Sequence, residues 1–170
     1  ITRLPGNDGE EADAVGAYTQ AWLGGPDPID QAKCPETWIT LPKHQWPAEW
    51  HGVYEKPVVR LRKALYGHPL AGLYWEQHCR QVLVEFGWEP IKGWECLYIH
   101  RKEKLFLSVY VDDFKCAGKA ENLKPMWEKL RTRMDLDPPT ALSGGVYLGC
   151  GQFDIQTPVD MIREKQEFYT

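Results

Sequence analysis

Apolar residues recur at helical spacing in two stretches of the chain and alternate in a third. Trp75, Cys79, Val82, Leu83 and Phe86 stand at i, i+4, i+7, i+8 and i+11, which is one face of an α-helix. The spacing predicts a helix over 69–86, with Pro69 in its first turn and Gly87 just past its end. Leu123, Trp127, Leu130 and Met134 form a second stripe and predict a helix over 121–134. Pro125 is tolerable there only in the first turn, and Pro138-Pro139 stops the helix. Leu105, Leu107, Val109 and Val111 alternate with Phe106, Ser108, Tyr110 and Asp112, the period of a strand with one apolar face. Residues 114–117 read as the return arm of a hairpin.

Shorter apolar runs predict strands at 38–41, 58–61, 96–100 and 146–148. Residues 12–23 read as a strand leading into a short helix. Residues 1–11, polar and holding Pro5, Gly6 and Gly9, read as a loop or ragged start. Residues 24–37 and 42–57 read as loops, the second with three prolines, two tryptophans and two histidines. Strands and helices interleave, and a hairpin demands antiparallel pairing. The expected class is α+β, an antiparallel sheet with helices packed on one face.

Composition narrows the function classes. The 170 residues suit one domain, and 43% hydrophobic content supplies a core. No apolar run approaches the ~20 residues needed to cross a bilayer, and no signal-peptide pattern opens the chain. A net charge of −4 argues against a dedicated nucleic-acid binder on charge alone. Local bias runs the other way: residues 56–63, KPVVRLRK, carry four basic groups and no acid. Five scattered cysteines show no zinc spacing, and their odd number suggests reduced thiols in an intracellular compartment. Among the eight tryptophans, Trp38, Trp46, Trp50, Trp88 and Trp94 lie outside the helical stripes, where aromatics can either fill a core or anchor partners.

Two adjacent acids close the alternating strand, in Tyr110-Val111-Asp112-Asp113. Alternation puts Asp112 on the face of Tyr110 and Ser108, and a straight strand would carry Asp113 into the core. The chain is therefore expected to turn at Asp112-Asp113 and lift both carboxylates to the hairpin tip. Two readings are open on spacing alone. One is a plain Asx-type turn. The other is a divalent-metal site that needs a third acid from elsewhere.

Four blocks bear on that choice. They are Asp13-Ala14-Val15-Gly16-Ala17-Tyr18; Val59 to Gly67 followed by Ala71 and Trp75; Phe86-Gly87-Trp88 with Cys96-Leu97-Tyr98 and Tyr110-Val111-Asp112-Asp113; and Tyr147-Leu148-Gly149. In that order and spacing the chain resembles the reverse transcriptase domain of copia-type retrotransposons. The resemblance covers roughly residues 10–151 and implies a polymerase palm over 12–151, with 152–170 a C-terminal extension or the start of a thumb. It implies an RNA-directed DNA polymerase, a nucleotidyltransferase using two Mg²⁺ ions. Asp13 and Asp112 would be the main catalytic metal ligands and Asp113 the adjacent supporting acid. Tyr110 would lie near the primer end. Tyr66 and Gly67 fall in the second block, and Arg60, Arg62 and Lys63 would hold nucleic-acid phosphates.

The implied partners are an RNA template, a DNA primer and the rest of a Pol polyprotein with fingers, thumb and RNase H. The sequence departs from the family after Gly67, where His68-Pro69-Leu70-Ala71-Gly72-Leu73 replaces Leu-Lys-Gln-Ala-Pro-Arg, and at Val15, which replaces a lysine. An isolated segment with these departures is expected to be inactive. The alternative is a non-catalytic palm-like domain kept as a structural or interaction subunit, meeting protein partners through its Trp-rich loops.

Overall fold

The computed structural model describes residues 1–27, 32–34, 36–142, 146–147 and 150–151. In chain order, β1 (Asn7–Asp13) leads into a short α1 (Ala17–Gln20). Strands β2 (Trp38–Thr40) and β3 (Val58–Arg60) come next, with two 3-10 turns between them at Lys43–Gln45 and Ala48–Trp50. Then come α2 (Ala71–Glu85), β4 (Glu89–Pro90), β5 (Leu97–His100), β6 (Leu105–Tyr110), β7 (Asp113–Lys119) and α3 (Ala120–Leu130). The described chain closes with β8 (Thr140–Ala141), β9 (Val146–Tyr147) and β10 (Cys150–Gly151).

Six strands form one antiparallel sheet in the order β4-β5-β6-β7-β1-β8. Strands β2 and β3 pair as a separate hairpin, as do β9 and β10. The two faces of the large sheet differ in chemistry. On one, Leu105, Leu107 and Val109 of β6 stand beside Gly118, Cys116 and Phe114 of β7, all buried. The long helices cover this face. Trp75 of α2 meets the Phe114 ring edge-on at 6.5 Å, and α3 contacts β7 and β1 with Leu123, Met126, Trp127 and Leu130 buried. The fold is thus α+β with an antiparallel sheet, as the patterning requires.

Several expectations need correction. The first eleven residues are not all loop: Asn7–Asp13 is a strand, so a boundary at residue 11 would cut through it. Its polar sequence hides it, because its neighbours β7 and β8, rather than apolar side chains of its own, place it inside the sheet. The first long helix starts at Ala71 with Leu70 as its cap, leaving Pro69 in the preceding turn. The second begins at Ala120, which puts Pro125 inside the helix, past the first turn. Pro125 has no N–H to give to the preceding turn, and burial of the helix's apolar face offsets that loss. Helix α3 ends at Leu130, and Met134 stays buried in the turn beyond it. Trp88 is core, 1% exposed, and is no surface anchor. Of the fourth sequence block, Leu148 and Gly149 lie outside the described residues, as does the segment 152–170.

Candidate active site

The hairpin turn falls one residue earlier than alternation suggests. Tyr110 pairs with Asp113, so Val111 and Asp112 form the turn and Asp113 opens β7. Val111 has φ 55° and is partly exposed instead of joining Leu105, Leu107 and Val109 in the core. A β-branched residue in this region is strained, and a two-residue hairpin usually places glycine or asparagine there. Neighbours hold the strained turn from both ends. The Trp75 indole Nε1–H donates to the Val111 carbonyl at 2.6 Å. The Ala14 N–H donates to the Asp112 carbonyl at 2.8 Å.

This one-residue change puts Asp113 on the open face of the sheet. In β7, Phe114, Cys116 and Gly118 are buried while Asp113, Lys115, Ala117 and Lys119 alternate with them on the other face. In β1, Asp13 stands opposite Asp113 and Glu11 opposite Lys115. The open face therefore carries a row Tyr110–Asp113–Asp13 across three strands, and behind it a row Ser108–Lys115–Glu11. Asp112 sits exposed on the turn beside the first row. The Asp13 backbone is fixed as well, because its carbonyl accepts the Asp137 N–H at 2.8 Å. Gln20 ties the same corner, donating to the Val15 and Asp135 carbonyls and accepting the Asp135 N–H, each at 2.9 Å.

Charge accumulates in the front row. Partial burial, then the charges of Asp13 and Asp112, then a hydrogen bond with the Asp13 carboxyl push the Asp113 carboxyl above its ordinary value, while Lys115 pulls it down. Lys115 is itself engaged in an ion pair with Glu11. Carboxylates that repel one another at a sheet end suit a hard divalent cation, which would neutralise them and prefers oxygen ligands. The Asp13–Asp113 pair fits that donor chemistry. Asp112 stands on the turn beside that pair, close enough that its charge acts on Asp113, and among the described residues no group of three or more His, Cys, Asp or Glu is gathered into a metal-holding cluster.

The remaining sequence candidates divide. Tyr110 is exposed in the front row. The Tyr66 ring lies 4.6 Å from that of Tyr18, centroid to centroid, and Gly67 turns the exposed chain with φ 92°. Arg60 pairs with Glu36 at 3.0 Å. Lys63 is diverted inward: its ammonium donates to the Gln20 carbonyl at 2.7 Å, lies 4.0 Å from the Trp22 ring centre, and has its pKa lowered by burial. Lys63 thus supports the chain beneath the site instead of presenting a charge outward with Arg60 and Arg62. Sequence reasoning passed over Lys115, although its place two residues after Asp113 in a strand already assigns it to the same face. The Trp75–Val111 hydrogen bond had no such signal, since nothing local links a helix residue to a turn 36 positions away.

The model of a family described as reverse transcriptase (RNA-dependent DNA polymerase) matches residues 44–169. Over 102 residues the chain is 29% identical to the transposon Ty1-DR4 Gag-Pol polyprotein, the transposon Ty1-DR6 Gag-Pol polyprotein and the transposon TyH3 Gag-Pol polyprotein, all of Saccharomyces cerevisiae. Each match covers 59% of this chain and 5–6% of the relative, so the chain spans a small part of the length of the polyproteins it is similar to. The family match includes Asp112 and Asp113 and begins after Asp13.

Proposed function

Because the chain belongs to the reverse transcriptase (RNA-dependent DNA polymerase) family, in its copia-type branch, we propose that it is the polymerase palm of a retrotransposon Pol polyprotein. The observation that carries this reading is the register Asp13 opposite Asp113 at the end of the sheet, on the face the helices leave open. That face is where a primer–template would lie, with the acids at the primer terminus.

Each residue has a part in that reading. Asp13, Asp112 and Asp113 would hold the cation, Asp13 and Asp113 from facing strands and Asp112 from the turn. Mg²⁺ bound there would activate the primer 3′-hydroxyl and stabilise charge on the leaving group. Tyr110, next in the row, positions the primer end. Lys115 balances part of the carboxylate charge and fixes Glu11 behind the row. Arg60 and Arg62 take nucleic-acid phosphates, and Tyr66 with its partner Tyr18 borders the site. The template RNA, the DNA primer and the fingers, thumb and RNase H of a Pol polyprotein are partners of the same proposal.

The test is primer extension on an RNA template by the polyprotein segment that contains this chain, with Mg²⁺, comparing the wild type with Asp113→Asn and Asp13→Asn. The expected result is template-dependent synthesis lost in both variants. The chain on its own is expected to give none. A second reading, a palm retained without catalysis, is favoured by the largely apolar 68–73 segment, which replaces the family's Leu-Lys-Gln-Ala-Pro-Arg. Synthesis that persists in both variants refutes the assignment of the acids. No synthesis by the wild-type polyprotein segment supports the non-catalytic reading.

A further inference from the structure

A cavity of about 240 Å³ lies between α2 and the helix-covered side of the sheet, bordered by Val111 of the acid-bearing turn. Helix α2 lines it with Gly72, Trp75, Glu76 and Cys79, which stand at i, i+3, i+4 and i+7 and so share one face. Tyr98 of β5, which pairs with Leu107 on the buried side of the sheet, lines it from the strands. Tyr18 of α1 closes a third side. Three aromatic rings and one carboxylate thus border one small space.

The electrostatics of the cavity are those of an acid. Among the described residues that line it, none is Lys, Arg or His, so the charge offered to an occupant is that of Glu76. Burial, then the neighbouring Cys96, then Glu76 push the Cys79 thiol up to about 12. Burial, then Glu76, then Glu95 push the Cys96 thiol up as well. Both thiols are therefore neutral at neutral pH. The Tyr98 phenol is held up at about 12, by burial first and then by Cys79 and Cys96. Arg80 works against that shift, but it lines an adjoining depression and not this cavity.

These walls select among occupants. Glu76 repels an anion, which rules out a phosphate-bearing ligand. An uncharged apolar group would leave the carboxylate unused. A cation with an apolar skin uses every wall, because ring faces attract positive charge and methyl groups fill apolar volume. The space is smaller than the roughly 300–1,000 Å³ of pockets for drug-sized ligands, so its occupant is one small group. The Trp75 wall is fixed in advance by donation of its indole N–H to the Val111 carbonyl at 2.6 Å. Gly72, itself exposed, leaves one side open: a Cβ there would meet the Tyr18 hydroxyl at 4.0 Å.

We propose that this cavity is an aromatic cage for an alkylated ammonium group, with Tyr18, Trp75 and Tyr98 as walls and Glu76 as counter-charge. The group comes from a free quaternary amine such as choline or from a trimethylated lysine in a peptide. A wider depression of about 470 Å³ shares Glu76, Cys96 and Tyr98 with the cavity and would carry the peptide. The cage is independent of the polymerase reading, since it lies on the helix side of the sheet and the acid row on the open side.

The test is an NMR titration of the 170-residue chain, read at the Trp75 indole N–H and the Val111 amide. Choline should shift both resonances. Its uncharged isostere, with carbon in place of nitrogen, should bind at least about tenfold more weakly. Glu76→Gln, at an exposed position, should weaken choline about threefold and leave the isostere unchanged. Gly72→Leu should abolish both shifts by filling the cavity, with the thermal midpoint at or above that of the wild type, because leucine favours a helix more than glycine does. Absence of a choline response overturns the proposal, as does equal affinity for choline and the isostere. A choline response that survives in folded Gly72→Leu overturns it too. So does a peptide with unmodified lysine that binds as tightly as its trimethylated form, which would show attraction to a surface acid alone. If Gly72→Leu does not fold, the isostere and Glu76→Gln decide without it. A trimethyllysine peptide that binds tighter than choline supports the cage and assigns it to a protein tail; equal affinities support it and assign it to the free amine.

Discussion

Asp13 and Asp113 face each other across the β1–β7 ladder, two acids 100 positions apart brought to one place by sheet register. Partial burial of Asp113, together with the charges of Asp13 and Asp112 beside it, has a measurable consequence. The Asp113 carboxyl is held above its ordinary value, so its ionised form costs the folded state free energy that the unfolded chain does not carry. Asp113→Asn should therefore raise the thermal midpoint at neutral pH. The gain should shrink as pH falls through the raised value and vanish below the ordinary aspartate value of about 3.9. Thermal melts of both proteins across acid and neutral pH check this, and parallel curves would contradict it. Millimolar Mg²⁺ should raise the wild-type midpoint at neutral pH and leave that of Asp113→Asn nearly unmoved.

Val111 is a valine in a conformation that suits glycine. Val→Gly within a strand ordinarily costs stability through entropy and lost packing. Here relief of backbone strain of about 1 kcal/mol or more opposes that cost. Val111→Gly should lie within about 1 kcal/mol of the wild type in urea unfolding. A loss of several kcal/mol would show that Val111 packs as a core residue and that its turn is not strained.

Trp75 should matter through its indole nitrogen as well as its bulk. Trp75→Phe keeps most of the aromatic packing on Phe114 and removes the hydrogen bond to the Val111 carbonyl. The expected loss is about 1 kcal/mol, with faster amide exchange at residues 111–113. Trp75→Ala should cost about 3–5 kcal/mol through the cavity it leaves. Exchange at the turn that does not change in Trp75→Phe would remove Trp75 as the group that holds it.

Lys115→Met leaves Glu11 half-buried without its ion-pair partner. A loss of about 1–3 kcal/mol is expected, largely recovered in Glu11→Gln/Lys115→Met. The single variant should also raise the Asp113 titration further, because Lys115 lowers it. Carboxylate chemical shifts measured against pH would show it, and an unmoved Asp113 would place Lys115 outside the acid row's field.

Gly118 admits no side chain, since a Cβ there would come within 2.2 Å of the Lys104 carbonyl oxygen, and its φ is 152°. Both the clash and the backbone oppose substitution. Gly118→Ala should destabilise by about 2–4 kcal/mol in chemical denaturation. A stability equal to wild type would mean that the β6–β7 end can open to admit a methyl group.

Much of the scaffold was legible because its signals are local. The stripe Trp75, Cys79, Val82 and Leu83 announces a helix wherever it packs, and Leu105, Leu107 and Val109 announce a strand with one buried face. Asn7–Asp13 was not legible as a strand. Its residues have low strand preference and owe their place to β7 and β8 on either side. Pro125 misled for a similar reason: the penalty it carries in isolation is outweighed by the apolar face of α3 buried against the sheet. Lys63 was legible as a charge and not as a charge turned inward, because the Gln20 carbonyl and the Trp22 ring that receive it come from α1 and the turn after it.

By itself the sequence determined the chemistry available at the site: which acids exist, that two are adjacent in Tyr110-Val111-Asp112-Asp113, and that the family blocks occur in order. It also determined the α+β class, since hydrophobic period is a property of neighbouring residues. Tertiary structure alone decided which acids meet. Placing the turn at Val111-Asp112 instead of Asp112-Asp113 moves Asp113 to the face of Tyr110 and sets it opposite Asp13. Strand side chains repeat every two residues, so a one-residue shift in a turn exchanges the two faces of the strand beyond it. Whether the strained turn is kept depends on the Trp75 indole and the Ala14 amide, contacts that form only when the helix, the hairpin and β1 have packed together.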